Sequence, residues 1–284
     1  MKRLIVTCLA VTISASIFAQ ENTDKKVNMG IAYQFGMNFN KPGTNVIERD
    51  GVGVQNMIGL NINFNFNENI GLSTGVEFDF ESFKYSFTPI NGSTYYYYND
   101  KNIAKKSELQ GDEDLFELTG RKYKNIYATI PLMLMFRTNA IGDFRYYGKF
   151  GARTSFLVKS AMNDMGNTFS TNDVALVEAT GSIFTGASTE NEGMKVPYGN
   201  DAFIIRSALG IAGGAQWNFT GNTMLFAELG FYYGLTPMHI SKEKKAKNED
   251  NMTMFNRVDS NTTNDYFRIK ANQTQLCLKI GILF

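Results

Sequence analysis

Apolar and polar residues alternate strictly in eight separate segments of the chain. In an extended strand successive side chains point to opposite faces, so each segment predicts a β-strand with one apolar face. The first segment is typical, because Met29, Ile31, Tyr33 and Phe35 alternate with Gly, Ala and Gln. The predicted strands cover residues 28–39, 54–66, 70–81, 126–136, 144–158, 203–219, 224–235 and 276–284.

The connections between these strands alternate in length. Three are short and four are long: 67–69, 138–143 and 220–222 against 40–51, 88–122, 160–200 and 237–265. Outer-membrane barrels combine short periplasmic turns with longer extracellular loops, and hairpin links make each strand antiparallel to the next. The pattern therefore predicts an all-β fold, an eight-stranded antiparallel up-and-down transmembrane β-barrel with long extracellular loops.

A soluble β-sandwich or lipocalin-like barrel would also alternate, and the second face of the strands separates the two fold classes. In a soluble barrel the apolar face points inward, so the outer face must be charged and solvated. Here the second face is rich in Gly, Ala, Ser and Asn, which suits a crowded interior. The apolar faces also have the length of the roughly 9–11 residues that a tilted strand needs to cross a bilayer. We therefore favour the membrane barrel.

Residues 1–19 predict a cleavable export signal. Lys2 and Arg3 precede an apolar run that ends in a small residue, Ala19, and a polar stretch follows directly. We expect cleavage after Ala19, with residues 20–284 forming the barrel domain in the outer membrane of a Gram-negative cell envelope. Nothing after the signal offers about 18 to 20 consecutive apolar residues, which excludes a transmembrane helix.

Composition narrows the function classes further. The chain has 28 Lys plus Arg against 27 Asp plus Glu, so charge gives no case for nucleic-acid binding. The mean hydropathy of −0.22 is too polar for a helical membrane protein but fits alternating strands. One His and two Cys are too few for a Cys/His metal centre, and we expect neither a metal nor a cofactor. Cys8 lies in the signal, so Cys277 has no intrachain disulfide partner.

The last segment and an internal strand resemble features of known barrels. Alternating apolar residues that end in a C-terminal aromatic are similar to the signal read by the outer-membrane assembly machinery. In this chain they are Leu276, Leu278, Ile280, Ile282 and Phe284.

The segment 127–134, Tyr-Ala-Thr-Ile-Pro-Leu-Met-Leu, resembles the Tyr-x-x-Ile-Pro-Leu-x-Leu strand of PorT-like outer-membrane barrels. The Gly-containing stretch Lys149–Arg153 follows after a short turn, as in that family. The resemblance implies an eight-stranded barrel of the OmpA/OmpX type, and PorT itself serves in a protein-secretion system. The fold alone does not carry that role, because small barrels host many functions.

Charged residues of both signs fall on the predicted inward face. Eight strands enclose little more than their own side chains, and isolated buried charges are costly. We therefore predict a paired, hydrogen-bonded interior network, with Glu228 bonded to Lys279. A polar ion pathway is the alternative. The network residues are Glu77, Asp79, Glu81, Arg145, Lys149, Arg153, Arg206, Glu228 and Lys279.

Pro131 also falls on the inward face, within the fourth predicted strand. Proline lacks the N–H that a β-ladder uses, so we predict a bulge or a local kink at this position.

The loops carry two charged segments and a tyrosine run. Tyr95–Tyr98 and the acidic stretch Asp112–Asp114 with Glu117 predict strand extension with an aromatic rim and solvated acids, or else partner docking or loose Ca²⁺ binding. The segment Lys242–Lys247 is either a mixed solvated loop or a contact for lipopolysaccharide phosphates.

His239 follows the seventh strand, near the expected outer rim, where lipid-modifying barrel enzymes keep a His with a Ser. Ser241 and Glu243 are close in sequence, but loop neighbours alone do not make a catalytic site. We expect a structural or interaction protein, not an enzyme, whose loops contact partners. A narrow channel and a lipid-modifying enzyme are the alternatives. The expected partners are outer-membrane lipid and lipopolysaccharide, the barrel-assembly machinery, and an envelope or secretion-system protein.

Overall fold

The chain folds into one closed β-barrel with eight long strands. In this computed structural model the described residues are 26–43, 47–87, 94–99, 102–103, 114–169, 188–192, 202–220, 223–239, 256–257, 265–266 and 271–284. The barrel strands are β1 (Val27–Pro42), β2 (Gly53–Asn65), β3 (Ile70–Phe87), β4 (Asp114–Arg137), β5 (Phe144–Phe169), β6 (Ile205–Thr220), β7 (Thr223–Gly234) and β8 (Ala271–Leu283). Short strands lie at Ile47–Arg49, Thr94–Asn99, Asn102–Ile103, Ser188–Glu192, Asn256–Arg257 and Asp265–Tyr266. Within these ranges no helix is long and apolar enough to cross a membrane.

Each barrel strand pairs antiparallel with its sequence neighbour, and β1 pairs with β8 to close the sheet. The predicted eight-stranded antiparallel barrel is therefore confirmed. Tracing the strand pairing once around the barrel from Met29 returns to β1 at Phe39, ten residues further along. Such a stagger requires strands tilted by roughly 35–45° from the barrel axis.

The apolar face of every strand points outward. On β1 the outward Ile31 is 46% exposed, whereas Gln34 and Asn38 on the inward face of the same strand are buried. An apolar surface that surrounds the whole molecule is far larger than soluble proteins tolerate. The soluble-barrel alternative is wrong, because its interior would be apolar.

Two strands, β4 and β5, run much further than the alternation predicts. The structure starts β4 at Asp114 and ends β5 at Phe169, and these two strands pair from Arg137↔Tyr147 to Leu115↔Phe169. Parts of the predicted loops 88–122 and 160–200 are therefore strand. The outward face of β4 changes there from apolar residues to Lys122 and Lys124, so the alternation ends at the lipid boundary while the hydrogen-bonded ladder continues.

Pro131 is buried on the inward face, as predicted. The predicted bulge at this position is wrong, because the strand register does not shift. The register between β3 and β4 is the same on both sides of it, at Thr74↔Leu132 and Glu77↔Thr129, and two residues of each strand lie unpaired between them. The Thr74 hydroxyl donates a 2.7 Å hydrogen bond to the Pro131 carbonyl. A side chain thus replaces part of the missing ladder contact, and the strand keeps its register.

Candidate functional site: the barrel interior and its mouth

The inward face of β3 carries the acidic core of the barrel. Glu77, Asp79 and Glu81 alternate with outward Val76, Phe78 and Phe80, and all three carboxylates are at most 4% exposed. β3 begins at the short turn end of the barrel, so this order runs toward the long-loop end. Each carboxylate therefore meets a different layer of side chains across the lumen.

Glu77 lies between two cations from distant strands. Its Oε2 is 2.9 Å from Arg153 Nη2 on β5, and its Oε1 is 2.6 Å from Lys279 Nζ on β8. Lys279 also donates to Asn61 Oδ1 at 3.3 Å, and the Arg153 guanidinium stacks 4.4 Å above the centre of the Tyr232 ring. These contacts join β2, β3, β5, β7 and β8 across the lumen.

The predicted Glu228–Lys279 bond is wrong. The two residues are direct cross-strand neighbours in the register, but Glu228 Oε2 lies 2.7 Å from Lys149 Nζ and accepts a 3.1 Å hydrogen bond from the Tyr147 hydroxyl. Small inward residues of β6, Ala212 and Gly214, separate β5 from β7 at this level. Because they leave space, Lys149 reaches Glu228, and Lys279 is left to bond Glu77.

Glu81 forms the layer nearest the long-loop end of the barrel. Arg206 donates to its two carboxylate oxygens at 2.7 and 3.3 Å, and Gln273 Nε2 donates at 3.1 Å. The Arg206 guanidinium lies 4.0 Å above the centre of the Tyr127 ring. A bidentate arginine with a stacked aromatic face is a geometrically specific contact, so this layer holds β3, β4, β6 and β8 in a defined arrangement.

Asp79 lies between these layers beside a small cavity. It accepts a hydrogen bond from Gln55 Nε2, and the cavity next to it has a volume of about 30 Å³. Gln55, Arg153 and Arg206 also line it. By volume the space admits about two water molecules, so the lumen at this level is filled almost entirely by side chains.

Arg145 is the one predicted network residue that lies apart from the others. It is half-buried near the short-turn end, where it pairs in register with Gln216. Among the described residues it forms no ion pair. The structure brings the other eight predicted residues together as a buried set with four carboxylates and four cations.

An aromatic cluster closes the long-loop end of this network. His239 is 1% exposed, and its Nε2 is 3.1 Å from the Tyr85 hydroxyl oxygen. Phe83 stacks on Tyr123 with ring centres 5.0 Å apart, and both rings contact His239. His239 therefore lies inside the barrel mouth, not on the rim. Ser241 and Glu243 are outside the described residues.

One ion pair lies beyond this cluster toward the long-loop end, and the sequence pattern does not predict it. Arg121 on β4 donates to both carboxylate oxygens of Asp164 on β5, at 2.5 and 2.7 Å, and both residues are buried. Each lies in a predicted loop, which is why the alternation missed them. Phe83 and Tyr85 continue the inward parity of β3, so extending that parity would have found the aromatic cluster.

The terminal strand segment and the loop segments complete the placement of predicted residues. Leu276, Leu278, Ile280 and Ile282 on β8, and Phe284 directly after it, are exposed on the outer face and contribute to the lipid-facing surface. Tyr95–Tyr98 lie in the short strand that pairs with β4, and Asp112 and Lys242–Lys247 are outside the described residues. In the part of the chain described, no group of three or more His, Cys, Asp and Glu side chains is arranged to hold a metal.

Comparison with known families decides the classification. Residues 18–239 match the model of the outer membrane protein beta-barrel domain. The chain belongs to this family. Its location is therefore the outer membrane. The chain is also similar to several barrels of solved structure.

Three such structures illustrate the similarity. Ail, the attachment invasion locus protein of Yersinia pestis, is 12% identical with a TM-score of 0.28, over 92% of this chain and 100% of Ail. Neisserial surface protein A is 10% identical with a TM-score of 0.31, over 92% and 98%. OprG from Pseudomonas aeruginosa is 10% identical with a TM-score of 0.41, over 91% and 95%. No curated protein matches the chain.

Proposed function

We propose that this outer-membrane barrel is an envelope scaffold or interaction protein. Its filled interior acts as a rigid anchor, and the upper parts of β4 and β5 present the contact surface for a partner. The observation that carries the proposal is the closed lumen, in which four carboxylates and four cations are buried and ion pairs join three of these carboxylates to all four cations across the barrel.

The filled lumen argues for an anchor and against a channel. Conduction needs a continuous polar path, whereas ion pairs between β3, β5, β6 and β8 cross this lumen at two levels. The cavity of about 30 Å³ between those levels has room for no more than a few water-sized molecules. Eight-stranded barrels are generally filled by their own side chains.

The contact surface is the part of β4 and β5 above the lipid boundary, residues 114–125 and 159–169, which we name the β4–β5 extension. Twelve residues of β4 reach about 40 Å along the strand. The buried Arg121–Asp164 ion pair holds the two strands together there. A rigid ladder that ends in loops is a typical site for recognition, because loops on a fixed scaffold tolerate variation.

Service in a protein-secretion machine is the specific form of this proposal. It is supported by the resemblance of segment 127–134 to the PorT-like strand. In the structure this segment is part of the barrel wall, and the Arg206 guanidinium lies over the Tyr127 ring inside the lumen. A partner would therefore contact the β4–β5 extension and not this segment. Export with removal of residues 1–19 belongs to the same proposal, and the mass of the mature chain tests it.

Site-specific photo-crosslinking in cells tests the contact surface. A photoreactive residue at Thr119, which is exposed on the extension, is compared with one at Asn139, which is exposed in the short β4–β5 turn. We expect one discrete envelope-protein adduct from Thr119 and none from Asn139. Adducts from Asn139 alone, or identical adducts from both positions, would overturn the extension as the contact surface.

A further inference from the structure

Four lysines face outward on three adjacent strands at the long-loop end of the barrel. Lys84 lies on β3, Lys122 and Lys124 lie on β4, and Lys159 lies on β5. Lys124 and Lys159 are exposed, and the other two are half-exposed. Together they form what we name the lysine cluster.

The lysine cluster begins where the lipid-facing band ends. The outward run of β3 from Ile70 to Phe80 is apolar except for Thr74, and that of β4 from Ile126 to Phe136 is apolar throughout. Each run has the roughly 9–11 residues that cross the hydrocarbon core. The next outward positions toward the long-loop end are Ser82 and then Lys84 on β3, and Lys124 and then Lys122 on β4. Their ammonium groups are therefore placed at the level of the outer-leaflet headgroups.

The lysines are close to one another. Lys84 is directly opposite Lys122 in the register, which brings cross-strand Cβ atoms to about 4.5–5.5 Å. Lys124 is the next outward residue on β4, and Lys159 is opposite Ile126. Like charges in such positions destabilise a sheet unless an anion lies between them.

No carboxylate of the described chain neutralises these lysines. None of the four forms an ion pair with a described residue. Asp50 lies beside Lys84, with its backbone N–H 3.1 Å from the Lys84 carbonyl oxygen, yet its exposed side chain makes no ion pair with it. By contrast, the buried cations Lys149, Lys279, Arg153 and Arg206 each contact a carboxylate.

We propose that the lysine cluster binds the phosphate groups of an outer-leaflet glycolipid, with the acyl chains packed on the neighbouring apolar band. Lysine stems cover apolar surface while their ammonium groups stay at the polar boundary, and phosphates are the anions found at that depth. On β1, which β2 separates from β3, this arrangement is weaker, because the strand carries the single lysine Lys41 at the corresponding outward position. The glycolipid therefore binds on the β3–β5 side, where Lys122, Lys124 and Lys159 form the membrane-side end of the β4–β5 extension, and the part of the extension around Thr119 is left to a protein partner.

Titration of the detergent-solubilised full chain with lipid A tests the proposal. The probes are bisphosphorylated lipid A, dephosphorylated lipid A and inorganic phosphate. The variants are Lys122→Gln/Lys124→Gln/Lys159→Gln and, as a matched control, Lys41→Gln. We expect the triple variant to bind bisphosphorylated lipid A about 100-fold more weakly, since each lysine contributes about fivefold near an anionic lipid surface, and we expect the control to bind like the unmodified chain.

Heat-modifiable migration on gels confirms that each variant is folded before titration. Equal binding of bisphosphorylated and dephosphorylated lipid A by the unmodified chain would overturn the proposal, as would unchanged binding by the folded triple variant. Displacement of lipid A by an equal concentration of inorganic phosphate would overturn the assignment to a lipid. Weak competition by inorganic phosphate is the expected result.

Discussion

The same residue type has two different environments in this barrel. Lys279 lies in the lumen, 7% exposed, with its Nζ 2.6 Å from Glu77. Lys124 lies on the outer wall above the lipid band, exposed and without an ion pair in the described chain. A cation removed from water needs a paired carboxylate, whereas one at the headgroup boundary is solvated and available to lipid. The face of the strand on which a lysine lies, and its distance from the centre of the bilayer, therefore decide whether it forms a buried ion pair or stays exposed.

The largest effect is expected where one carboxylate holds two buried cations. Glu77→Gln leaves Arg153 and Lys279 without their charge partner, so we expect the free energy of unfolding to fall by about 3–5 kcal/mol. Denaturant unfolding in detergent micelles measures it. Glu68→Gln, at an exposed turn residue, is the control and should change the free energy little. Equal effects of the two substitutions would show that burial does not separate the two environments.

A double-mutant cycle sharpens the comparison within the lumen. Lys279→Met combined with Glu77→Gln should give a coupling energy of about 0.5–3 kcal/mol, because the two side chains are in contact. The cycle with Glu228→Gln should give a smaller value, because Glu228 bonds Lys149. A larger coupling to Glu228 would instead support direct cross-strand pairing.

The barrel mouth should respond less strongly. Tyr85→Phe removes the hydroxyl that contacts His239, and we expect a loss of about 1 kcal/mol in the free energy of unfolding. Tyr146→Phe, at an exposed position on the outer face, is the matched control and should leave the unfolding transition in place. If both substitutions had the same effect, the Tyr85–His239 contact would have no role in closing the mouth.

The smallest stability effect is expected on the outer wall. Lys124→Gln should change the free energy of unfolding by no more than about 0.5 kcal/mol, as exposed substitutions usually do. The same unfolding series in detergent measures it, without glycolipid present. A loss as large as that of Glu77→Gln would mean that Lys124 has a structural partner in the folded chain.

Alternation along β3 was enough to place Glu77, Asp79 and Glu81 inside the barrel, because side chains repeat every two residues. The partners of these carboxylates were not predictable in the same way. Register makes Glu228 the neighbour of Lys279, but long lysine stems reach across a narrow lumen where β6 carries small residues. Which cation reaches which carboxylate depends on the packing of several strands at once.

The parts of the barrel beyond the hydrocarbon core were also hidden from the alternation. The outward face there meets the polar headgroup layer and then water, so Lys122 and Lys124 replace apolar residues and the period-2 signal stops. Arg121 and Asp164, which pair in that region, therefore fell in predicted loops. His239 was expected on the rim, since its sequence position alone does not show that the chain turns inward after β7.

The closed, charge-paired lumen is the central claim, and current across a planar lipid bilayer tests it most directly. The folded full chain is inserted at many copies per bilayer, with a known porin as the positive control in the same bilayer. We predict no unitary current steps above the background, because side chains cross the lumen at Glu77 and Glu81. Reproducible steps whose ion selectivity changes with Glu77→Gln would contradict the account and identify the lumen as a pathway.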